Sequence, residues 1–313
     1  MKYVIDFNIP QSDWKIEPNF KFLSFGSCFS DEVGSLLKQD GFSVVSNPFG
    51  VLFHPIPLAK NIQKIIRKDC ATQIVQHHDL YFSWNASGTF FSYAQSELEN
   101  RFATAIETLH EQLKNTDVLL ITFGTSFGYR HIETNEIVVN CHKQPQMLFQ
   151  KELSELSEMR AIWTETLAAL KAFNPRLKVI FTVSPVKHLR DGVVENVRSK
   201  ARLIELVHKL GENYFPSFEL IQEQLRDYRF YKVDGAHPNE IAIHEVYKRF
   251  IETYFSDNAK EFQQEITKFN TLKNHRSLYA ESTQTKALNE RIELEFKRLK
   301  GKYWFWDNFE KTE

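Results

Sequence analysis

KFLSFGSCF, residues 21–29, is the stretch around which the chain is organised. Lys21 to Phe25 form a short, mostly apolar run, which predicts a buried strand. Gly26 permits a sharp turn, and apolar side chains at helical spacing then predict a helix over residues 29–39. A helix N-terminus offers unpaired N–H groups and partial positive charge, so an oxyanion beside Ser27 would be stabilised there. The stretch therefore predicts a strand, a turn and a helix that aim the Ser27 hydroxyl into a cleft.

Strand and helix patterns alternate along the rest of the chain. Apolar runs predict strands at 42–45, 118–123, 179–183 and 214–216. Helical periodicity predicts helices at 57–67, 98–113, 154–173, 194–210 and from about 241 to 254. This alternation predicts a three-layer α/β/α sandwich with a mainly parallel sheet. We expect residues 1–256 to form this domain and residues 257–313 to form a helical C-terminal extension.

Three segments interrupt the regular pattern. Residues 72–94 are aromatic and rich in turn residues, which predicts an irregular or β-ribbon insertion. Residues 127–150 contain a predicted hairpin, with its turn at Thr134-Asn135. Residues 228–233 are predicted to be extended, and Pro238 is predicted to lie in the first turn of the helix that follows.

Composition excludes several classes of protein. With 39 basic and 40 acidic residues the net charge is −1, so no overall field attracts nucleic acid or an anionic membrane. Three widely spaced cysteines indicate neither a disulfide framework nor a zinc module. An apolar run of about 18 residues is missing, as is a signal-like apolar segment near the N-terminus. We therefore expect a cytoplasmic protein without a membrane span, a metal or a cofactor, and with no nucleic-acid partner.

Polar residues follow the predicted strands directly. In sheets of this kind ligands bind at the carboxyl ends of the strands. Ser27, Gly124-Thr125-Ser126 and Ser184 occupy such positions, and Asp234 and His237 follow the last extended segment. The D-x-x-H spacing lets a carboxylate hold the imidazole Nδ1–H and leaves Nε2 free for a serine hydroxyl. The pattern predicts a triad of Ser27, His237 and Asp234.

Each of these residues also has an ordinary structural explanation. A serine at a strand-to-helix turn is often only an N-cap. His237 could simply precede a helix, and Gly124-Thr125-Ser126 could simply end a strand. Cys28 could be a nucleophile activated by the helix N-terminus, although packing against the core is the simpler explanation.

The motif Gly26-Ser27-Cys28-Phe29-Ser30 resembles the signature of the GSCFA-domain proteins, with Ser30 where the name has alanine. Further motifs resemble that family in order over roughly residues 20–256: Asn47-Pro48-Phe49-Gly50, Phe123-Gly124-Thr125-Ser126, Asn140-Cys141-His142, Thr182-Val183-Ser184-Pro185-Val186, Phe215-Pro216-Ser217-Phe218-Glu219 and Asp227-Tyr228-Arg229-Phe230-Tyr231. The family is similar to the SGNH, or GDSL-like, esterase superfamily. This resemblance implies the three-layer fold, with Ser27 as nucleophile, His237 as general base and Asp234 as the residue that orients His237.

The resemblance also implies an oxyanion hole. SGNH esterases build it from the N–H of the nucleophile, a glycine N–H and an asparagine side chain. Gly50 corresponds to the glycine, but the loop expected to carry the asparagine reads Gly124-Thr125-Ser126. A hydroxyl of that loop or the Asn140 side chain would have to substitute, and loss of one donor costs about 2.7–4 kcal/mol of transition-state stabilisation. His142 is expected either to line the same pocket or to close a hairpin against the core.

Together these features predict a serine esterase or acyltransferase that acts on a small O-acyl ester. By analogy with SGNH esterases the favoured substrate is an O-acetylated carbohydrate, and Tyr81, Phe82 and Trp84 would either stack a sugar or form a lid over the core. Two other functions stay open. One is a binding module that kept the esterase fold and lost activity, and the other is a thiol enzyme that uses Cys28.

Overall fold

The computed structural model describes residue 5, residues 7–274 and residues 283–306. In chain order the strands are β1 (Lys21–Gly26), β2 (Ser43–Ser46), β3 (Ile74–His77), β4 (Leu80–Ser83), β5 (Phe91–Ser92), β6 (Val118–Phe123), β7 (Phe127–His131), β8 (Glu136–Val138), β9 (Phe149–Leu153), β10 (Lys178–Val183) and β11 (Asn213–Phe215). The helices are α1 (Cys28–Gln39), α2 (Pro55–Arg67), α3 (Gln95–Lys114), α4 (Leu156–Phe173), α5 (Val193–Leu210), α6 (Ser217–Glu219), α7 (Glu240–Tyr254), α8 (Asp257–Lys273) and α9 (Thr283–Lys302).

A five-stranded parallel sheet lies at the centre, in the order β11-β10-β6-β1-β2. Strand β6 is buried along its whole length, and its side chains alternate between two apolar clusters. Leu119 and Ile121 face the cluster that contains α2 to α5. Val118 and Leu120 face the cluster that contains α1, α7 and α8. Helices therefore cover both faces of the sheet, which confirms the predicted three-layer sandwich with a parallel sheet.

Two small antiparallel sheets accompany the central one. Strands β3, β4 and β5 form a ribbon, which confirms the β-ribbon alternative for residues 72–94. Strands β7 and β8 form the hairpin predicted within residues 127–150. The sequence does not predict β9, which pairs with the other edge of β7.

The segment before α7 differs from its prediction. Residues 228–230 are not extended, because the Asp227 side chain accepts the Arg229 N–H at 2.8 Å and caps a short 3-10 turn at Tyr228–Phe230. Tyr231 is extended and forms an isolated antiparallel bridge with Pro238. Pro238 does not open the helix either. Helix α7 begins at Glu240, since the Asn239 side chain accepts the Ala242 N–H and serves as the N-cap. Both predictions are wrong for the same reason, namely a side-chain cap that competes with the pattern.

Helices α8 and α9 extend the layer of α1 and α7. Phe262 of α8 packs edge-on against Phe42 with ring centroids 5.3 Å apart. Arg298 and Lys302 of α9 form ion pairs with Glu265 of α8 at 3.1 and 3.0 Å. The two helices thus share a core with the α/β layers, while the domain boundary at residue 256 stays a prediction. In the parts of the chain that the structure describes, no helix combines the length and apolar character that crossing a membrane requires.

His54 joins α2 to the loop after β6. Its Nδ1 accepts the Ile56 N–H at 3.2 Å, and its Nε2 lies 3.3 Å from the Ser126 carbonyl oxygen and 3.2 Å from Ser154 Oγ. Burial lowers the pKa of His54 from 6.5 to about 4. The neutral ring therefore suits this position, since a proton on Nδ1 would oppose the Ile56 N–H.

Acid is expected to destabilise the fold through His54. Above pH 6.5 the imidazole is neutral in both the folded and the unfolded chain, so this contribution to stability is complete. As the pH falls from 6.5 towards 4 the unfolded chain takes up the proton first, and about 3 kcal/mol of unfolding free energy is lost. Urea denaturation at several pH values gives the free energy of unfolding of the wild type and of His54→Asn as a function of pH. The difference between the slopes of these two curves measures the contribution of His54. Equal slopes would contradict the prediction.

Candidate active site

Asp234 and His237 form a hydrogen-bonded pair within one turn. Asp234 Oδ2 lies 2.6 Å from His237 Nδ1, and Asp234 Oδ1 accepts the N–H groups of His237 at 3.0 Å and Ala236 at 2.9 Å. Gly235 provides the positive φ of +64° that the turn requires. The backbone N–H groups of His237 and Ala236, followed by the imidazole, lower the pKa of Asp234 to about 2. The carboxylate is thus ionised at neutral pH and holds the ring by Nδ1, so Nε2 is left for another partner.

The turn is attached to the carboxyl edge of the sheet. The Lys187 N–H donates to the Ala236 carbonyl oxygen at 3.1 Å, and Lys187 Nζ donates to the Gly235 carbonyl oxygen at 3.3 Å. Lys187 follows β10, whose carboxyl end lies at this edge. On the other side, Lys232 Nζ lies 3.5 Å from Glu32 Oε1 in the first part of α1. The turn that carries His237 is therefore attached to the loop after β10, and the preceding Lys232 to the start of α1, although Asp234 and His237 do not follow a strand.

Ser27 lies between β1 and α1, as the sequence predicts, and it is 2% exposed. Its Oγ accepts the Phe29 N–H at 3.3 Å, so the residue is the N-cap of α1. A hydroxyl that accepts one hydrogen bond can still donate its own proton, so the capping role does not exclude a nucleophilic one. Among the described residues no hydrogen bond joins Ser27 Oγ to His237 Nε2. Such contacts commonly tighten only when substrate binds.

Asn47 braces the turn that carries Ser27. Its Oδ1 accepts the Gly26 N–H at 2.8 Å, and its Nδ2 donates to Asp31 Oδ1 at 2.8 Å. The residue itself adopts a left-handed conformation with φ of +43°. One side chain therefore connects the end of β2 with both the strand and the helix that flank Ser27.

The backbone donors expected for the oxyanion hole are already engaged. The Ser27 N–H donates to the Thr122 carbonyl oxygen at 3.1 Å, and the Gly50 N–H donates to the Asn47 carbonyl oxygen at 2.7 Å. The Phe53 carbonyl oxygen accepts the Gly124 N–H at 2.8 Å and the Thr125 N–H at 3.3 Å. An oxyanion beside Ser27 would need a donor other than these.

The hydroxyl groups of the loop after β6 point towards α5. Thr125 Oγ1 lies 2.9 Å from Ser199 Oγ on α5. Ser126 Oγ lies 3.2 Å from both the carbonyl oxygen and Oγ of the same serine. Both residues are buried. The geometry thus gives these two hydroxyls a role in docking the loop on α5 and does not support the oxyanion role expected from the sequence.

Asn140 and His142 lie together beside the β-ribbon. Asn140 is exposed, its Oδ1 accepts the His142 N–H at 2.8 Å, and among the described residues its Nδ2 donates no hydrogen bond. His142 is buried, with Nε2 at 2.8 Å from the Ser83 carbonyl oxygen and its ring stacked on Phe82 at 4.7 Å. Burial lowers the pKa of His142. These contacts favour the interpretation in which His142 closes a hairpin against the core. The side-chain amide of Asn140, in contrast, can still donate a hydrogen bond.

The aromatic residues of the ribbon pack mainly on one another. Trp84 lies 5.6 Å from both His142 and Phe149, measured between ring centroids. Phe82 is buried, and Tyr81 packs against the main apolar cluster. This packing favours a cover over the core. Trp84 also lines a groove of about 420 Å³ between α2, the ribbon and β8.

Lys200 and His188 are two residues of this edge that the sequence does not single out. Lys200 on α5 is 1% exposed, and its Nζ donates to the carbonyl oxygens of Gly124 at 2.5 Å and Ser184 at 2.7 Å. Burial lowers the pKa of Lys200 to about 7. His188 lies beyond β10, and its buried Nε2 has no hydrogen-bond partner in the described parts of the chain. The sequence signal that could have singled out Lys200 is that a lysine rarely lies on the apolar face of a helix.

Cys28 is the first residue of α1 and is partly exposed. Burial, followed by the nearby Asp31 carboxylate, raises the pKa of its thiol. A raised pKa disfavours the thiolate, which is the nucleophilic form. The electrostatic environment therefore speaks against the thiol-enzyme alternative.

Comparison with known proteins places the chain in a family. A model of the GSCFA family matches residues 21–250. No curated protein sequence matches the chain. The chain is similar to the crystal structure of a carbohydrate esterase family 3 from Talaromyces cellulolyticus, with 11% identity, a TM-score of 0.38, and coverage of 80% of this chain and 99% of that one. It is also similar to an acetyl xylan esterase, Est2A, from the rumen bacterium Butyrivibrio proteoclasticus, with 10% identity, a TM-score of 0.37, and coverage of 79% and 64%.

Likeness to solved structures at this level says nothing about activity. The family match is a match of sequence. It extends from the first residue of β1 into α7 and includes Ser27, Asp234 and His237. It spans well over half of the described chain, and the protein therefore belongs to the GSCFA family.

Proposed function

We propose that this protein is a serine esterase or acyltransferase that acts on a small O-acyl ester. The observation that carries the proposal is the Asp234–His237 pair, which is fixed at 2.6 Å and attached to the loop after β10 and to α1. A carboxylate that holds Nδ1 of an imidazole, together with a serine at a helix N-terminus, is the set of groups that a serine hydrolase uses. Ser27 is the nucleophile in this proposal, His237 the general base and Asp234 its orienting partner.

The chemistry follows from these roles. Ser27 Oγ attacks the carbonyl carbon of the ester while its proton passes to His237 Nε2. The bond to the alcohol oxygen then breaks, and His237 returns the proton to that oxygen. Water or an acceptor hydroxyl next attacks the acyl-enzyme and gives its proton to His237. When the bond between the acyl carbon and Ser27 Oγ breaks, His237 returns that proton to Ser27 Oγ. Asp234 stabilises the imidazolium that forms in both half-reactions.

The test is covalent labelling with a fluorophosphonate probe. Mass spectrometry of the wild-type chain is expected to find the adduct on Ser27 alone, and the Ser27→Gly variant is expected to remain unlabelled. Glycine is the better replacement because it preserves helix capping to within a few tenths of a kcal/mol, whereas alanine loses about 1 kcal/mol.

Two matched controls accompany this test. Ser30→Ala removes a buried hydroxyl in the first turn of the same helix and is expected to leave labelling unchanged. Cys28→Ala removes the neighbouring thiol and is expected to do the same. Labelling that persists in Ser27→Gly and disappears in Cys28→Ala would instead assign the nucleophile to the thiol.

A second candidate function is a binding module that retains the esterase fold without activity. The observation that favours it is the engagement of the Ser27, Gly50 and Gly124 N–H groups in backbone hydrogen bonds. Hydrolysis of p-nitrophenyl acetate and of a panel of acetylated sugars separates the two candidates. Binding of an acetylated sugar without turnover or labelling would favour the binding module, and turnover that depends on Ser27 would exclude it.

A further inference from the structure

The proposed esterase needs an oxyanion donor that the expected groups do not provide. The backbone N–H groups of Ser27, Gly50 and Gly124 donate elsewhere, and the hydroxyls of Thr125 and Ser126 bind α5. A tetrahedral intermediate at Ser27 would place its negative charge at the carboxyl edge of β1 and β6. A polar hydrogen aimed at that position from a neighbouring strand end would meet the requirement.

His188 lies at the neighbouring strand end. It follows β10, which pairs with β6, and β6 pairs in turn with β1. Its Nε2 comes within 3.2 Å of the position that a Cβ on Gly124 would occupy, and its ring packs against Phe53 with centroids 5.4 Å apart. The imidazole therefore lies over Gly124, which directly follows β6, the strand that pairs with β1.

The Nε2 atom of His188 is buried and has no hydrogen-bond partner among the residues that the structure describes. Buried polar atoms in folded proteins almost always have a partner, so an unpartnered one at the carboxyl edge of the sheet points to a ligand atom. The His188 backbone is fixed independently, because its N–H donates to Asn196 Oδ1 on α5 at 2.8 Å. This backbone hydrogen bond and the packing on Phe53 thus hold the side chain in place, while its Nε2 atom is left for a ligand.

The surroundings of His188 determine its protonation. Burial, followed by the nearby Lys200 and His237 side chains, lowers the pKa of His188 to about 4. The ring is therefore neutral at pH 7, and a neutral imidazole with its hydrogen on Nε2 is a hydrogen-bond donor. A neutral histidine that polarises a carbonyl oxygen is an established device in enzymes. The Nζ atom of Lys200 donates to the Gly124 carbonyl oxygen at 2.5 Å and so fixes the residue over which the His188 ring lies.

We propose that His188 donates its Nε2–H to the oxyanion formed at Ser27, in the place that an asparagine side chain has in SGNH esterases. This inference rests on the proposed function and assigns a further catalytic residue to the same site. His188 and His237 then have separate tasks, since His237 moves the proton and His188 stabilises the charge.

The experiment compares His188→Leu with His188→Gln in hydrolysis of p-nitrophenyl acetate. Leucine removes the donor, and kcat is expected to fall about 10²- to 10³-fold while KM changes little. Glutamine presents an amide N–H at a similar distance, and its kcat is expected to exceed that of the leucine variant at least about tenfold. His208→Leu is the matched control, because it removes an imidazole near the far end of α5, where the ring packs on Tyr214.

The outcomes separate this inference from the function on which it rests. A wild-type chain that is labelled on Ser27 and turns over, with full activity in His188→Leu, would overturn the role of His188 and leave the esterase standing. Equal losses of kcat in His188→Leu and His188→Gln would also overturn it, because a purely structural role would not depend on whether residue 188 can donate a hydrogen bond. A wild-type chain with neither labelling nor turnover would remove the proposed function and this inference together.

Discussion

The His237→Ala variant is expected to hydrolyse p-nitrophenyl acetate about 10⁴- to 10⁶-fold more slowly than the wild type, as judged by kcat. Without the imidazole no group accepts the proton of Ser27 as the hydroxyl attacks. Folding should be unaffected, because Asp234 holds its turn through the backbone N–H groups of Ala236 and residue 237, and because Lys187 secures the turn from outside. Steady-state kinetics and a urea denaturation curve on the same preparation measure both expectations.

Two further variants make this test specific. Asp234→Asn keeps the shape of the turn but is expected to favour the wrong tautomer of His237, with a loss of kcat of about 10⁴-fold. His244→Ala removes an exposed imidazole on α7 and is expected to leave kcat unchanged. Residual activity of His237→Ala within tenfold of the wild type would mean that another residue is the general base.

Gly26→Ala is expected to be the most destabilising single-methyl change at the site. Gly26 has φ of +148°, and a Cβ there would lie 2.2 Å from the Thr122 carbonyl oxygen, which belongs to the adjacent strand and cannot move aside. Backbone strain and overpacking each cost roughly 1–3 kcal/mol, so a loss of roughly 2–6 kcal/mol in the free energy of unfolding is expected. The urea midpoint of purified protein measures it.

Gly192→Ala separates the two causes. Gly192 also has a positive φ, of +92°, but a Cβ there meets no atom within 4 Å. The control therefore reports backbone strain alone, and its loss should be smaller by at least about 1 kcal/mol. If both variants lost the same stability, the contact between β1 and β6 would not be the constraint on Gly26.

The fold was predictable where a pattern is local. Strand β6 has the bounds expected from its apolar run, because an unbroken run is what burial on both faces of a parallel sheet requires. Helix α5 begins within one residue of its prediction and ends at the predicted Gly211 cap, which has φ of +71°. Strand β9 and the turn at Tyr228–Phe230 were not predictable in this way, since a remote pairing partner and a side-chain cap decide them.

The same distinction between local and long-range contacts applies to the candidate site. Asp234 and His237 are three residues apart, so their contact follows from spacing alone. The direction of the Thr125 hydroxyl depends on Ser199, which lies 74 residues further along the chain. The position of His188 over Gly124 likewise depends on how β10 lies beside β6. Sequence patterns do not encode such long-range contacts, and therefore the environments of Thr125 and His188 could not be predicted from the sequence.

The side chain of Lys200 has a mechanical consequence for this edge of the sheet. Its buried Nζ donates to the carbonyl oxygens of both Gly124 and Ser184, so the loops after β6 and β10 are coupled. The two loops cannot hinge apart without leaving a buried amine and two carbonyl groups without their hydrogen bonds. This part of the edge is thus stiff.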